Sequence, residues 1–530
     1  MRLLVSHKVG LALCLLLPVT AAIKPFDGQR WWTHMSYLAD DDMQGRETGS
    51  PGYFDAARYV AAEFERAGLD RAGTQGYYQL VKFRSRKMID DGTSVAIERD
   101  GTREVLNIGD DTVVNPRVDT PPSVDAQMVF AGYGLTIPEA NYDDFAGLDV
   151  KGKVVVYLLG APPKVPGALA SHYQSAGERA ASLRKLGAIG TVNLPNPAHM
   201  DLPWSRIASA RVIPAMVLAD PEFDDMHGIV LSLTVNPASA DKLLAGSGHD
   251  FKEIVAAAHS GQPLPHFAIP GTLHVKTQVE TKEVQSPNVV AKFEGSDPKL
   301  KDEFVVFSAH LDHLGVGAPI NGDSIYNGAM DNASGVAAML DVAASLREKN
   351  ARPKRSLLFV AVCGEEKGLL GSRYFAAHPT VDAKQIVADI NTDMFLPLFP
   401  LKILTVYGLD ESTLGDDIRA AAKSLGIRIQ PDPEPLRNVF IRSDQYSFIR
   451  RGIPALTMKV GYEPGSPEEK IAKTWLAERY HAPSDDVKQP MDKTAAGKFD
   501  HLVAALLMRV ADARQRPEWR QDSFFRRFKP

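Results

Sequence analysis

The chain has 530 residues, of which 44% are hydrophobic and 24% are charged, a composition typical of a soluble globular protein. This length is too great for one ordinary core and predicts two or three domains. The 60 basic and 65 acidic residues give a net charge of −5, which argues against nucleic acid as a main partner because phosphate-binding surfaces usually carry a basic excess.

The N-terminus has the organisation of a secretory signal peptide. Arg2 and Lys8 precede a short apolar run that ends in the small residues Ala21 and Ala22, as such signals do. The run is shorter than the roughly 20 apolar residues of a membrane span. We therefore predict that residues 1–22 are removed, that no membrane span remains, and that the protein is exported to the periplasm or secreted.

The next two regions differ in their predicted elements. Residues 23–120 open with apolar positions at helical spacing and are predicted to form the N-terminal part of the main domain. In residues 121–280, short β-rich runs alternate with turns. Few His, Asp or Glu residues cluster there, so we expect a compact β-rich module without catalytic chemistry.

Strands alternate with helices in residues 281–515. This alternation predicts a largely parallel sheet that is buried on both faces. The last residues, 516–530, are basic and aromatic, and we predict that they form a tail on the surface.

Candidate functional residues follow the predicted strands, where α/β sheets bind their ligands. Considered singly, each has an ordinary structural explanation, such as a helix cap for the aspartate that opens a helix. Together they offer the nitrogen and oxygen ligands that first-row divalent cations favour. Burying several carboxylates is costly unless cations neutralise them, so the pattern predicts a metal site. The residues are His310, Asp331, Glu365, Glu366, Asp393 and His481.

The motifs around these residues resemble metallopeptidase family twenty-eight, the co-catalytic dizinc aminopeptidases and glutamate carboxypeptidase II. Segment 43–50 is similar to the family's N-terminal signature, and the β-rich module resembles an inserted protease-associated domain. The resemblance implies a three-layer α/β fold of the zinc-exopeptidase (phosphorylase/hydrolase-like) type, with a mixed, mostly parallel sheet flanked by helices. The motifs occur in the family's order at 308–315, 328–335, 364–372, 391–394, 442–448 and 480–485.

The resemblance also implies two zinc ions. His310 and Asp393 would hold one ion, Glu366 and His481 would hold the other, and Asp331 would bridge both. Two zinc ions that share a bridging carboxylate activate a water molecule and polarise the substrate carbonyl.

Further residues receive supporting or catalytic roles. The resemblance implies that Glu365 is the general base and that Tyr480 donates to the tetrahedral oxyanion. We expect Asp312 to accept a hydrogen bond from the other ring nitrogen of the nearby histidine ligand. Ser443 and Asp485 are expected to support the site through hydrogen bonds.

Three details of the motifs bear on these assignments. Adjacent residues of an extended chain point to opposite sides, so Glu365 and Glu366 are expected to face differently. His313 is expected to be structural or to line the pocket. Met330 and Gln445 replace residues that the family often has as Asp or Asn and as His, which puts the local loop geometry in question.

The leading hypothesis is an exported zinc exopeptidase that acts on peptides as an aminopeptidase. A dipeptidase or a glutamate-carboxypeptidase-like enzyme is the alternative, and a basic pocket for a C-terminal carboxylate, with Arg442 as the candidate, would favour it. A single-zinc glutaminyl cyclase and a receptor-like protein without metals are less compatible with the complete ligand set. The β-rich module is expected to gate the substrate or to bind partners.

Overall fold

The computed structural model describes residues 26–200, 202–437 and 439–529. The signal peptide predicted at 1–22 lies outside the described residues. Within these ranges, none of the helices combines the length and the apolar character that a bilayer crossing requires.

Helices and strands are numbered along the chain. The α-helices are α1 (Gln29–Leu38), α2 (Pro51–Arg66), α3 (Gly167–Gln174), α4 (Ala176–Lys185), α5 (Trp204–Ser209), α6 (Ala240–Leu244), α7 (Phe251–His259), α8 (Ser334–Glu348), α9 (Leu370–Ala377), α10 (Leu414–Ser424), α11 (Gln445–Ile449), α12 (Pro467–Glu478) and α13 (Lys493–Asp512). The strands are β1 (Asp70–Arg71), β2 (Tyr78–Met88), β3 (Ser94–Arg99), β4 (Thr102–Leu106), β5 (Thr112–Val114), β6 (Ser123–Ala131), β7 (Thr136–Ile137), β8 (Tyr142–Asp143), β9 (Val154–Leu158), β10 (Gly190–Leu194), β11 (Ala215–Leu218), β12 (Leu231–Val235), β13 (His266–Lys276), β14 (Val279–Phe293), β15 (Phe304–His310), β16 (Gly315–Ile320), β17 (Asp323–Tyr326), β18 (Ser356–Val362), β19 (Ile386–Asn391), β20 (Ile403–Tyr407), β21 (Arg428–Gln430) and β22 (Ala455–Gly461).

The main sheet has the strand order β11-β2-β14-β18-β15-β19-β22-β20-β21, and β1 pairs with β14. The four central strands β18, β15, β19 and β22 are parallel. On one side β14 is antiparallel to β18 and to β2, and on the other side β20 is antiparallel to β22. The α/β class is confirmed as a mixed sheet, in which parallel pairing occupies the centre and the β20–β21 edge.

Both faces of the main sheet are covered by helices. Successive residues of a strand point to opposite faces, and on β18 the side chains of Leu357 and Phe359 enter one core while Leu358 and Val360 enter another. Helices α1, α2, α8 and α13 pack in the first core, and α9 and α11 pack in the second. The three-layer arrangement follows from this double burial.

A second sheet has the order β4-β3-β13-β6-β9-β10-β12-β5 and its own hydrophobic core. The predicted start of the β-rich module at 121 is wrong, because the sheet already begins with β3 at Ser94. Strand β13 pairs with β3 on one edge and with β6 on the other. The predicted range 121–280 also contains β11, which pairs with β2 in the main sheet. Long-range pairings of this kind leave no local signal in the sequence.

The C-terminal segment is not the surface tail that the sequence predicts. Phe525 is fully buried, and Trp519 Nε1 donates a hydrogen bond to the Gly452 carbonyl at 2.8 Å. Phe524 and Phe528 pack against His172 of α3, with ring centroids 4.9 and 5.4 Å apart. Burial of these aromatic rings holds the segment against the second core of the main sheet and the helix that follows β9.

Candidate metal centre

The structure brings the five predicted metal ligands together at the carboxyl ends of the central strands. His310 Nε2 lies 3.3 Å from Asp331 Oδ1 and 3.5 Å from Asp393 Oδ1. His481 Nε2 lies 3.3 Å from Asp331 Oδ2 and 3.2 Å from Glu366 Oε2. Each oxygen of Asp331 thus faces a different histidine, which is the arrangement a bridging carboxylate needs.

His313 lies closer to this centre than the sequence suggested. Its Nδ1 is 2.7 Å from Glu366 Oε1 and 3.9 Å from Asp331 Oδ2, and the ring is fully buried. Ligand atoms of His313, Asp331 and Glu366 lie within 4.8 Å of one another, as do those of His310, Asp331 and Asp393. His313 is therefore a further nitrogen ligand candidate, and its signal was its place three residues after His310.

The donor set fits a divalent metal. Buried ring nitrogens and carboxylate oxygens converge here without a hydrogen-bond partner among the described residues, and unpaired buried polar atoms are costly. Imidazole nitrogen and carboxylate oxygen are the ligands that zinc takes in catalytic sites. The atoms without a hydrogen bond include His310 Nε2, His313 Nε2 and Asp393 Oδ1, and His313 Nδ1 and Glu366 Oε1 lie 2.7 Å apart without forming one.

Electrostatics separates the two adjacent glutamates. Burial raises the pKa of Glu365 well above its usual range, and the negative charges of Asp393 and Glu366 add to this effect. Burial acts on Glu366 in the same direction, but His481 and His313 outweigh it and hold the pKa of Glu366 below its usual range. The pKa values of the two adjacent glutamates are thus shifted in opposite directions, because Glu366 has histidines beside it and Glu365 has carboxylates.

A turn, not an extended strand, places these glutamates. Strand β18 ends at Val362, and Gly364 then adopts a φ of +69°, a left-handed conformation that glycine tolerates best. The expectation that strand alternation turns Glu365 and Glu366 in different directions is therefore wrong, because both residues follow the end of the strand. They still meet different neighbours, since Glu366 contacts His313 and His481 while His310 is the strongest counter-charge for Glu365.

Asp312 supports the site in another way than expected. His310 Nδ1 lies 3.0 Å from the backbone carbonyl of Asp312 and 4.0 Å from its Oδ1. The Asp312 carboxylate instead accepts the backbone N–H groups of Glu365 at 3.1 Å and Glu366 at 3.3 Å. Thr48 donates to the same carboxylate at 3.0 Å and accepts from Gly364 N–H at 2.9 Å. Asp312 therefore fixes the glutamate turn.

Asp485 and Ser443 lie where they can support the centre. Asp485 accepts the backbone N–H groups of Met330 at 2.9 Å and Asp331 at 3.1 Å, which holds the loop that carries the shared aspartate. Ser443 donates to Asn391 Oδ1 at 3.4 Å, just before the Asp393 loop. Because Met330 bonds through its backbone, a thioether side chain costs the loop no hydrogen bond.

The remaining predicted residues line the apolar side of the centre. Met330 and Tyr480 pack with Met394 and Trp475 in a small cluster. The Tyr480 ring lies beside the His481 ring, with centroids 4.0 Å apart. Gln445 Nε2 donates to the Phe440 carbonyl at 2.9 Å, so this residue acts within its own loop and does not reach the ligands.

Arg46 is a structural residue that the sequence reasoning missed, although it lies in the 43–50 segment. Its guanidinium is fully buried and donates to the carbonyls of Leu311 at 2.9 Å, Asn327 at 2.7 Å and Gly328 at 3.0 Å. These carbonyls belong to the two loops that carry the histidine pair and the shared aspartate. Arg46 therefore ties the N-terminal region to the metal centre.

A cleft opens beside the glutamate turn. It has a volume of about 1080 Å³ and is lined by Glu365, Glu366 and Tyr480 from the main domain and by segments such as 159–163 and 193–196 from the second sheet. A peptide could reach the glutamates through this cleft.

Known peptidases are similar in sequence to the part of the chain that carries the candidate metal centre. Residues 288–507 match the profile of peptidase family M28, and this range contains all five predicted metal ligands. The chain is similar to a probable leucine aminopeptidase 2 of Aspergillus oryzae, with 28% identity over 43% of this chain and 46% of the relative. It is also similar to carboxypeptidase Q of Rattus norvegicus, with 28% identity over 35% of this chain and 36% of the relative. The alignments thus span less than half of these curated relatives.

A solved structure shows the same fold over most of the chain. The aminopeptidase from Aneurinibacillus sp. strain AM-1 aligns with a TM-score of 0.55 and 20% identity, covering 91% of this chain and 93% of that one. Similarity at this level of identity establishes the architecture, and the chemistry is argued from the residues.

Proposed function

We propose that the protein is an exported, zinc-dependent exopeptidase that acts as an aminopeptidase. The observation that carries the proposal is the pair of donor clusters that share Asp331, next to a further glutamate, Glu365, that lines the adjoining cleft. The similar proteins include a probable aminopeptidase and a carboxypeptidase, which supports peptide hydrolysis as the reaction class.

His310 and Asp393 would hold one zinc ion, Glu366 and His481 would hold the second, and Asp331 would bridge them. When bound, the two ions would lower the pKa of a water molecule and polarise the carbonyl of the scissile bond. His313, which approaches Glu366 at 2.7 Å, competes with His481 for the second position or orients Glu366.

Glu365 would act as the general base and then as the general acid. In its ionised form this carboxylate would take a proton from the attacking water and return it to the leaving amine. Asp312 and Thr48 would fix the direction of this side chain by holding the turn. Tyr480, at the cleft wall, would donate a hydrogen bond from its hydroxyl to the oxyanion that forms from the substrate carbonyl.

The second sheet would act as a protease-associated domain that gates the substrate. It contributes part of the cleft wall, and Arg206 of α5 donates to the carbonyls of Tyr480 and Ala477 at 2.5 and 2.6 Å. Movement of this domain would therefore shift the loop that carries Tyr480 and His481. Export follows from the signal peptide predicted at 1–22, and the mass of the mature secreted chain would test it.

The activity is tested with aminoacyl para-nitroanilides and their N-acetylated counterparts, assayed with and without a chelator. We expect turnover of the free-amine substrates only, its loss on chelation, and its return when zinc is added. Turnover of the acetylated substrates alone would contradict the aminopeptidase assignment. Elemental analysis should find about two zinc ions per chain, and protein that binds no zinc would contradict every enzymatic proposal.

A further inference from the structure

The chain passes from the second sheet to the main sheet through the segment between β10 and β11, which carries α5. This segment is fixed to the second sheet, since Trp204 Nε1 donates to the Gly109 carbonyl at 2.9 Å, between β4 and β5. An ion pair of Arg211 with Asp90 at 3.0 Å adds a contact in the turn before β3. The position of α5 therefore follows that of the second sheet.

Arg206 of α5 binds to the main domain. Its guanidinium donates to the carbonyls of Ala477 at 2.6 Å and Tyr480 at 2.5 Å. Ala477 lies in the last turn of α12, and the final carbonyls of a helix have no partner within that helix. A cation is also favoured at this end of a helix by the helix dipole. Arg206 thus caps α12 from a segment that is anchored on the second sheet.

The carbonyl of Tyr480 belongs to the peptide bond that leads into His481. His481 has a φ of +53°, an uncommon conformation for a residue with a side chain, which persists only where its surroundings hold it. Asp485 holds one end of this loop, because its carboxylate accepts N–H groups of the loop that carries Asp331. Arg206 holds the other end. One of the two anchors of the His481 loop therefore comes from outside the main domain.

His310 and His481 differ in how their rings are oriented. His310 Nδ1 lies 3.0 Å from the Asp312 carbonyl, and a bond on the second ring nitrogen is what usually orients a metal-binding histidine. His481 Nδ1 has no hydrogen bond to any residue that the structure describes, and 21% of the side chain is exposed. Its ring lies beside those of Tyr480 and His313, with centroids 4.0 and 5.7 Å away. The direction of the His481 ring thus depends on the backbone that carries it.

We infer that Arg206 is a positioning residue for His481. By holding the Tyr480 carbonyl, it directs the His481 ring toward the second zinc position, so that zinc affinity there depends on how α5 and the second sheet are docked. The inference rests on the proposed function in taking His481 as a zinc ligand, and it gives the second sheet control over metal content as well as substrate access. Since coupling between two sites is reciprocal, zinc at the second position also stabilises the docked domain.

Two single-ligand variants isolate the two zinc positions for the test. His310→Ala keeps the second position, and adding Arg206→Gln should lower its zinc affinity by about 10–100-fold, the usual range for a partner that orients a ligand. His481→Ala keeps the first position, where Arg206→Gln should change the affinity by less than about twofold. Titration with zinc in competition with a chromophoric chelator measures both affinities. An equal loss at both positions, or no loss at either, would overturn the inference.

The protein with all its ligands provides a second measurement. After dialysis against buffered free zinc, Arg206→Gln should lose one zinc ion per chain at a concentration at which the wild type keeps two. Arg206→Lys retains a cationic donor and should restore part of the affinity. Arg184→Gln is the matched control, because Arg184 also donates to a backbone carbonyl, that of His227 at 2.7 Å, but does not touch the His481 loop. Equal zinc loss in the Arg184 and Arg206 variants would contradict a specific role for Arg206.

Hydrogen exchange measures the reciprocal effect. Zinc should slow amide exchange in α5 of the wild type, and Arg206→Gln should remove most of this protection. If zinc affinity depends on Arg206 but the wild type cleaves no peptide, the proposed function fails while the role of Arg206 stands. If the wild type cleaves peptides and its second zinc is indifferent to Arg206→Gln, the inference fails while the proposed function stands.

Discussion

Two groups of carboxylates are buried in the main domain, and they are neutralised in different ways. The metal-centre carboxylates are Asp331, Glu366 and Asp393, which meet histidines at the ends of strands. The helix carboxylates are Asp341 on α8 and Asp500 on α13, which are buried where the two helices pack. Both groups carry the cost of burying negative charge.

One cation and a shifted pKa compensate the helix carboxylates. Arg30 Nε donates to Asp341 Oδ1 at 2.6 Å, and Ser345 donates to the same oxygen at 3.2 Å. Burial and the neighbouring charge of Asp341 raise the pKa of Asp500 well above its usual range. This shift favours the neutral form of Asp500 beside the Asp341 carboxylate.

The metal-centre carboxylates have no such internal solution. Three carboxylates and three histidines converge there, several of their atoms have no hydrogen-bond partner among the described residues, and a cleft opens beside them. A buried carboxylate pair is therefore not in itself a sign of a metal. Asp341 Oδ2 and both Asp500 oxygens also lack a hydrogen-bond partner among the described residues, so unpaired oxygens alone do not separate the groups. Converging imidazoles and access from the surface are the features that distinguish them.

The largest expected effect comes from Glu365→Gln. We expect kcat to fall by about 10²–10⁴-fold because the proton carrier is lost, while zinc content stays near that of the wild type. Steady-state kinetics and elemental analysis on the same sample measure both quantities. Glu366→Gln is the matched control, in which zinc should be lost together with activity. Near-normal turnover of Glu365→Gln would contradict the role of Glu365.

Exchanging one carboxylate in each group tests the comparison directly. Asp393→Asn should lower the zinc content and abolish most of the activity, since a neutral amide is a poor replacement for a charged oxygen ligand. Asp341→Asn should keep full zinc content and lose only stability, because its partner is Arg30. Equilibrium dialysis against zinc measures the first effect and thermal unfolding the second. Equal zinc loss in both variants would remove the distinction between the groups.

A smaller loss is expected from the residue that holds the glutamate turn. Asp312→Asn should lower kcat by about 10–100-fold, the usual range for partners that orient a site, because an amide cannot accept from both N–H groups and from Thr48 as well as a carboxylate does. Thr48→Ser keeps the hydroxyl and should stay close to the wild type. Asp312→Asn with unchanged kcat would show that the turn is stable without these bonds.

The smallest effect concerns the helix carboxylates and depends on pH. The pKa of Asp500 is raised in the folded state above its ordinary value of 3.8, so the native protein keeps a proton that the unfolded chain releases. The stabilising contribution of this proton is full below 3.8 and is lost as the pH rises through the folded-state pKa.

The Asp500→Asn variant has no titrating group at this position, so its stability does not show this fall with rising pH. Its free energy of unfolding relative to the wild type should therefore rise with pH in that window, by about 1.4 kcal/mol at most for each pH unit. Thermal unfolding at pH 5 and pH 8 measures the change, with the exposed Asp302→Asn as a control. A difference that does not grow with pH would show that Asp500 is already charged.

The sequence predicted much of the site because its chemistry is local to short motifs. His310, Glu365, Glu366 and Asp393 follow strands that read as buried apolar runs, and the ends of parallel strands must meet at one edge of a sheet. The sequence did not predict the roles that depend on the direction of a side chain. His313 and Asp312 share a motif with His310, yet one approaches Glu366 and the other holds a turn, and only their orientation separates these roles.

Domain organisation was the weakest prediction. The alternation of strand and helix after 281 was visible, but β3 at Ser94–Arg99 joins a sheet whose partner strand is His266–Lys276. Similarly, β11 is surrounded in sequence by the second sheet and pairs with β2 of the main one. Hydrogen bonds between residues so far apart leave no periodicity that a local reading could detect.

The sequence by itself determined the α/β class, the apolar strands and which residue types stand at their ends, because these follow from the two-residue period of a strand and from the cost of burying charge. The tertiary structure decided which charges meet. It placed Arg117 of one sheet beside the glutamate turn of the other, and it gave Asp500 a carboxylate neighbour instead of a metal centre. Electrostatic effects depend on distance in space, and distance in the chain does not determine it.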